Sequence, residues 1–141
     1  MHTYIHKVRY YETDKMGITH HSNYIRWMEE ARVDFLEHIG YGYAKLERDG
    51  IVSPVIGLEC QYKHATTFDD EVEIVVEVHE FKGVRLTIHY TMNNAATGAL
   101  VLTGKTTHCF TDVNGKPIIL KKHFPKFDSM LRDLATDNHA E

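Results

Sequence analysis

The chain has 141 residues, 43% of them hydrophobic and 26% charged, which suits one hydrophobic core and excludes a disordered or fibrous class. A formal net charge of -4, with no block of lysine or arginine, gives no electrostatic basis for a nucleic-acid partner. No apolar run approaches the ~20 residues of a membrane span, and the opening "MHTYIHKVRYYE" has no apolar leader segment, so a cytoplasmic setting is expected.

In chain order, "TYIHKVRY" reads as a first strand, and "SNYIRWMEEARVDFLEHIG" reads as one long helix, capped by Ser22 or Asn23 and closed by Gly40. Tyr24, Trp27, Met28, Ala31, Phe35 and Ile39 form its apolar stripe, with Arg26, Glu29, Glu30 and Glu37 off it. Four runs of period two follow. The first, "IVSPVIGLECQYKH", puts Val52, Ile56, Leu58, Cys60 and Tyr62 on one face. The second does the same with Val72, Ile74, Val76 and Val78, and the third with Val84, Leu86, Ile88, Tyr90 and Met92. "GALVLTGKTTHCFTDV" is the next strand, "NG" at 114 to 115 a hairpin turn, and "KPIIL" a short return. "FPKFDSMLRDLA" is a short amphipathic helix, with a polar tail from about residue 135. Cys60 and Cys109 lie in separate strands without CxxC spacing and read as free thiols in a reducing compartment.

No repeat or linker divides the sequence, so residues 1 to 141 read as a single domain. One long helix followed by strands with a single oily face is α+β, an antiparallel sheet of about five strands wrapped around the helix. One helix cannot cover both edges of such a sheet, which predicts a homodimer joined edge to edge, with stacking into a dimer of dimers left open.

The segment "ETDKMGITHHSNY", residues 12 to 24, carries the chemistry. Asp14 stands ahead of the helix, and Gly17 allows a turn back toward the helix N-terminus, whose free N–H groups favour an oxyanion. A carboxylate beside an oxyanion site suits attack on an activated carbonyl, with Asp14 as nucleophile or as the base that activates water. On spacing alone, an aspartate here is more often a turn former or cap. His20 and His21, adjacent in extended backbone, are expected to point to opposite sides. No HExxH or Cys/His array is present, so no metal is expected. Serine-hydrolase, P-loop and dinucleotide motifs are likewise missing. "KHFPKF" at 122 to 127 lacks the glycine and the position of a dehydratase motif.

"VRYYETDKMGITHHSNYIRWMEEARVDFLEHIG" resembles the signature of the 4-hydroxybenzoyl-CoA thioesterase-like family, acyl-CoA thioesterases of the hot-dog fold. Arg9, Tyr10, Asp14, Gly17, His21, Asn23 and Tyr24 match it in order, and later segments extend the likeness over roughly residues 4 to 120. The resemblance implies hydrolysis of an acyl-CoA or acyl-carrier-protein thioester, with no cofactor beyond the coenzyme A of the substrate. It implies Asp14 as nucleophile or general base, His21 polarising the carbonyl through its side chain and backbone N–H, and Tyr10 near the site. Gly17, Asn23 and Tyr24 would shape the approach, Lys82 and Arg85 would meet the coenzyme A phosphates, and His64 would line the cleft. His20 is a bystander in this reading. Two alternatives stand beside it: a hot-dog hydratase or dehydratase, and a non-catalytic acyl-CoA binding module.

Overall fold

The computed structural model describes residues 2 to 136. Strand β1 (His2–Lys7) leads through a single 3-10 turn (Tyr10–Glu12) and a tight loop into helix α1 (Ser22–His38). A short helix α2 (Tyr43–Arg48) precedes β2 (Val55–Tyr62), β3 (Glu71–Phe81), β4 (Arg85–Asn94) and β5 (Leu100–Cys109). Helices α3 (Leu120–His123) and α4 (Pro125–Leu134) close the described chain. The five strands form one antiparallel sheet in the order β1-β3-β4-β5-β2, so β1 and β2 are its edges.

The expected stripe of α1 is the buried one: Tyr24, Trp27, Met28, Ala31 and Phe35 are removed from water, and Ile39 is packed against the core. Opposite it lie the alternate residues of β3 (Val72, Ile74, Val76, Val78) and of β4 (Leu86, Ile88, Tyr90, Met92), all buried. Each large aliphatic or aromatic side chain moved from water into such a layer stabilises the fold by roughly 1.5–3 kcal/mol. β5 lets the helix come close at Gly104, where a Cβ would sit 2.8 Å from Met28 Sδ. At one end of the sheet Phe127 of α4 stacks on Tyr41 at 4.2 Å and meets Phe110 edge-on at 5.7 Å.

Several expectations are corrected. Neither Ser22 nor Asn23 caps α1. His21 already has helical backbone angles, and the ring of His20 serves instead, its Nδ1 accepting from the Ser22 N–H at 3.3 Å. Gly40 does close the helix, at φ +88°, while Tyr41 N–H donates to the Leu36 carbonyl at 2.9 Å. The first strand stops at Lys7, three residues short of Tyr10, and α2 was not foreseen. The β2 run starts at Val55; Val52 makes only an isolated bridge to Thr111. Its register slips between Val55 and Gly57, leaving Ile56 as the extra residue, off the face shared by Leu58, Cys60 and Tyr62. β4 begins after Val84, at Arg85.

The Asn-Gly turn stands, with Gly115 at φ +85° and Asp112 Oδ1 accepting from the N–H groups of Asn114 and Lys116. The "KPIIL" return is a single bridge, Thr111 to Pro117, after which the chain turns helical at Leu120. The expected last helix stands as α4, which starts at Pro125 as a first-turn residue, while the short α3 before it, ended at Phe124, is an addition. Ala135 is fully buried, so the chain is still packed where the tail was expected to begin; the tail beyond Thr136 lies outside the described residues.

Candidate active site

The 3-10 turn and the loop after it hold the site together. Glu12 N–H donates to the Arg9 carbonyl at 3.0 Å, and Glu12 O accepts from the His20 N–H at 2.8 Å, which closes the loop at its base. Within the loop, Asp14 N–H donates to Ile18 O at 2.9 Å and Gly17 N–H returns to Asp14 O at 2.9 Å. Gly17 takes φ +79°, a conformation that the missing Cβ makes cheap. Asp14 Oδ1 accepts from Met16 N–H at 2.8 Å, and the half-buried carboxylate makes no ion pair among the described residues. The loop is pinned sideways to the β2–β3 connection, where Thr19 N–H donates to Thr66 O at 2.8 Å and their hydroxyls meet at 2.6 Å.

This stitching opens a cleft of about 280 Å³ between the start of α1 and the end of β2. Ile18, Thr19, His21, Tyr24, Tyr62 and His64 line it. Tyr24 is a wall: its hydroxyl meets Thr66 Oγ1 at 3.1 Å, and its ring lies 5.6 Å from that of Tyr62 and 4.8 Å from that of Trp27. His21 presents its ring edge-on to Tyr62 at 6.3 Å. The Tyr62 hydroxyl is pushed up by its hydrogen bond to Cys60 and then by burial, so it stays a neutral phenol. At the helix start the N–H groups of Ser22, Asn23 and Tyr24 have acceptors in His20 and His21. Among the described residues that of His21 has none. A free donor at the positive end of a 17-residue helix is what a developing oxyanion needs.

The other sequence-predicted residues divide. Asp14 and Gly17 form the turn closed by Ile18, whose side chain faces the cleft, and His64 lines the cleft with Nδ1 at 3.0 Å from the Ala65 carbonyl. Asn23 does not line it. Its buried amide donates to the carbonyls of Glu12 at 3.0 Å and His20 at 3.2 Å, so it fastens the loop to the helix. Tyr10 is 76% exposed on the outside of the 3-10 turn, edge-on to Phe68 at 5.8 Å. His20 and His21 do not point apart; their rings lie 4.4 Å from each other, because the backbone at His21 is helical rather than extended. Lys82 and Arg85 sit at the β3–β4 hairpin, where Lys82 Nζ meets Glu80 at 2.9 Å. Arg85 pairs with Cys109, whereas Tyr62 pairs with Leu102 and that with Met92. Seven strand residues, at ~3.3 Å each, therefore put the hairpin about 23 Å from the cleft within one chain.

Sequence reasoning missed three buried polar groups. Glu12, 6% exposed, accepts from Trp27 Nε1 at 2.7 Å, from Arg9 N–H at 2.7 Å and from His6 Nε2 at 2.8 Å. Burial alone would raise its pKa; these three bonds outweigh burial and hold it below the usual carboxylate range. Arg32 is buried on α1, bonded to Glu29 Oε1 at 2.8 Å and to the Tyr43 hydroxyl. His108 is buried on β5, with Nε2 at 2.8 Å from Thr106 Oγ1. Arg32 on the helix stripe and His108 on the inner face of β5 interrupt an apolar pattern, which was the available signal; Glu12 stands in a turn and gives none, though its partner His6 lies on the strand before the loop.

The family model described as the thioesterase-like superfamily matches residues 8 to 134. The chain belongs to the thioesterase-like superfamily. YneP of Bacillus subtilis, which carries an acyl-CoA thioesterase name, is 32% identical to this family member over 120 residues, covering 84% of the chain and 86% of YneP. The YbgC acyl-CoA thioester hydrolase of Escherichia coli is 26% identical over 116 residues, covering 82% and 87%. Among solved structures, a DHNA-CoA thioesterase from Staphylococcus aureus superposes with a TM-score of 0.89 at 33% identity, covering 99% of this chain and 94% of that one. The expectation of a hot-dog thioesterase fold stands. Among the described residues this superfamily member has no helix long and apolar enough to cross a membrane.

Proposed function

We propose that the chain is an acyl-CoA thioesterase that uses Asp14 and the start of α1. The observation that carries this reading is the half-buried Asp14 carboxylate in a loop stitched to a cleft lined by His21, whose N–H has no acceptor among the described residues. The family match and the acyl-CoA thioesterase names of its relatives support it. In the reaction water adds to the thioester carbonyl and the C–S bond breaks, giving a carboxylate, a thiol and a proton. Asp14 either takes the proton from the attacking water or attacks the carbonyl itself to form an anhydride that water then opens. The thiolate leaves readily, since its conjugate acid ionises near ~8.5, so no strong general acid is required. His21 N–H, aided by the helix dipole, lowers the energy of the oxyanion.

A homodimer completes the site in this reading. Val55, Leu58 and Tyr62 are exposed on the helix side of edge strand β2, with Ile25 of α1 also exposed. Antiparallel pairing of two β2 edges about a two-fold axis would cover them and reverse the strand direction across the junction. The Lys82 and Arg85 end of one copy then comes to the same side as the cleft of the other, within reach of coenzyme A phosphates. Tyr10 is best kept as a rim residue. Two structural neighbours bear the names DHNA-CoA and gentisyl-CoA thioesterase, which favours aromatic hydroxyacyl groups as the first substrates to try.

The test is thiol release from straight-chain and aromatic acyl-CoAs and an acylated carrier protein, beside Asp14→Asn. That variant is expected to fold and to lose kcat by about 100-fold or more; undiminished turnover would refute the role. Single turnover in labelled water separates the two roles, since label enters the Asp14 carboxylate only if it is the nucleophile.

A further inference from the structure

Burying an ionised carboxylate costs several kcal/mol unless every oxygen is well bonded, and an apolar residue of similar volume stabilises a core at least as well. Glu12 is buried all the same, two residues before Asp14, with donors from three different parts of the chain. Trp27 Nε1 reaches it from the second turn of α1, His6 Nε2 from β1, and Arg9 N–H from the entry of the 3-10 turn. Its own carbonyl accepts from His20 N–H and from the Asn23 amide, which are the last residue of the Asp14 loop and the first turn of α1. One residue thus ties the base of the loop to the strand before it and to the helix after it.

His6 extends the clamp. Its Nδ1 lies 2.9 Å from Glu30 Oε2 while Nε2 faces Glu12, and its ring packs on Trp27 at 4.4 Å. One ring thus bridges the buried carboxylate of Glu12 and the half-exposed one of Glu30. Glu30 also accepts from the Tyr4 hydroxyl at 3.1 Å. Burial and then the Glu30 charge push Tyr4 up to about 12.

We propose that Glu12 is the positioning residue of this site: its buried carboxylate, held by Trp27 and by His6 in the bridge to Glu30, sets where the Asp14 loop lies on α1. The catalytic consequence rests on the Asp14 reading; the clamp itself does not. Trp27 is the one tryptophan of the chain, so its fluorescence reports the clamp without any substrate. A carboxylate at the indole N–H stabilises the charge displaced from the pyrrole ring on excitation, and its removal shifts emission to the blue.

The experiment compares the full-length protein with Glu12→Gln, and with Glu30→Gln as a second variant at a more exposed position. Glu12→Gln is expected to shift Trp27 emission to the blue and to lower kcat about tenfold or more, with KM within about threefold, the pattern of a displaced group rather than lost substrate binding. Glu30→Gln, which frees one side of His6, is expected to lower kcat by about threefold with KM unchanged. Unchanged Trp27 emission in Glu12→Gln overturns the proposal, whatever Asp14→Asn does. A lower melting temperature with kcat preserved below it also overturns the proposal, since Glu12 would then serve stability alone. If Glu12→Gln fails to fold, an unaltered kcat in Glu30→Gln overturns it.

Discussion

His108 makes the protein less stable in mild acid by an amount that can be worked out beforehand. Its side chain is fully buried on β5, beneath α1 and within the field of Arg32. Burial first, and the Arg32 charge second, hold its pKa at about 4 against an ordinary 6.5. The folded state therefore keeps the imidazole neutral where the unfolded chain binds a proton. The stability this represents is fully present above pH 6.5 and is lost as the pH falls through the interval down to about 4. At ~1.36 kcal/mol per pH unit the whole loss is about 3 kcal/mol, of which about 2 kcal/mol is gone by pH 5. With a urea slope of ~2 kcal/mol per molar, that moves the unfolding midpoint by about 1 M between pH 7.5 and pH 5. The assay is urea unfolding at both pH values and one fixed protein concentration, for the wild type and for His108→Gln. Other titrating groups act on both proteins, so the difference between their pH slopes isolates His108. The variant should show a midpoint that falls by about 1 M less than the wild type; parallel slopes would refute the reasoning.

Other outcomes can be checked alongside. Gly104→Ala would put a Cβ 2.8 Å from Met28 Sδ in a filled layer and should cost about 1–3 kcal/mol by denaturant titration; adding Met28→Ala should not sum with it, because the clash is then gone. His21→Ala keeps the backbone N–H and is expected to lower kcat by only about tenfold, clearly less than Asp14→Asn. Lys82→Ala with Arg85→Ala should raise KM for coenzyme A esters and leave short thioesters without the nucleotide unaffected; equal losses on both would count against phosphate contacts.

The fold was readable where one face of an element is oily. The α1 stripe and the alternation in β3 and β4 each follow from a single buried side, and the structure buries those residues. β2 was harder: its apolar residues stay exposed in one chain, and a bulge at Ile56 breaks an alternation that the sequence alone presents as continuous. The helix start was misread because a histidine ring, outside the usual capping residues, accepts the first N–H. For the site, Asp14 and Gly17 could be located from the loop pattern, and His21 and Tyr24 from the helix entry. Asn23, expected to shape the approach, does so from outside the cleft, its amide spent on two loop carbonyls. Glu12 escaped notice because a charged residue in a turn looks solvated until the tertiary donors from Trp27 and His6 are in place.

Helix α1 is indexed along its axis as well as glued to the sheet. An apolar stripe is nearly interchangeable with itself one turn away, a displacement of ~5.4 Å. Four side chains of α1 remove that freedom: Asn23 and Trp27 bond to Glu12, Glu30 to His6, and Asp34 to His2. The partners, Glu12 in the 3-10 turn and then His6 and His2 of β1, run in the reverse order, so a slipped helix would meet the wrong group at every rung. A helix transplanted from another protein with the same oily stripe but without these rungs would pack against the sheet and still drift in height. The free N–H at its start would then have no fixed distance to Asp14.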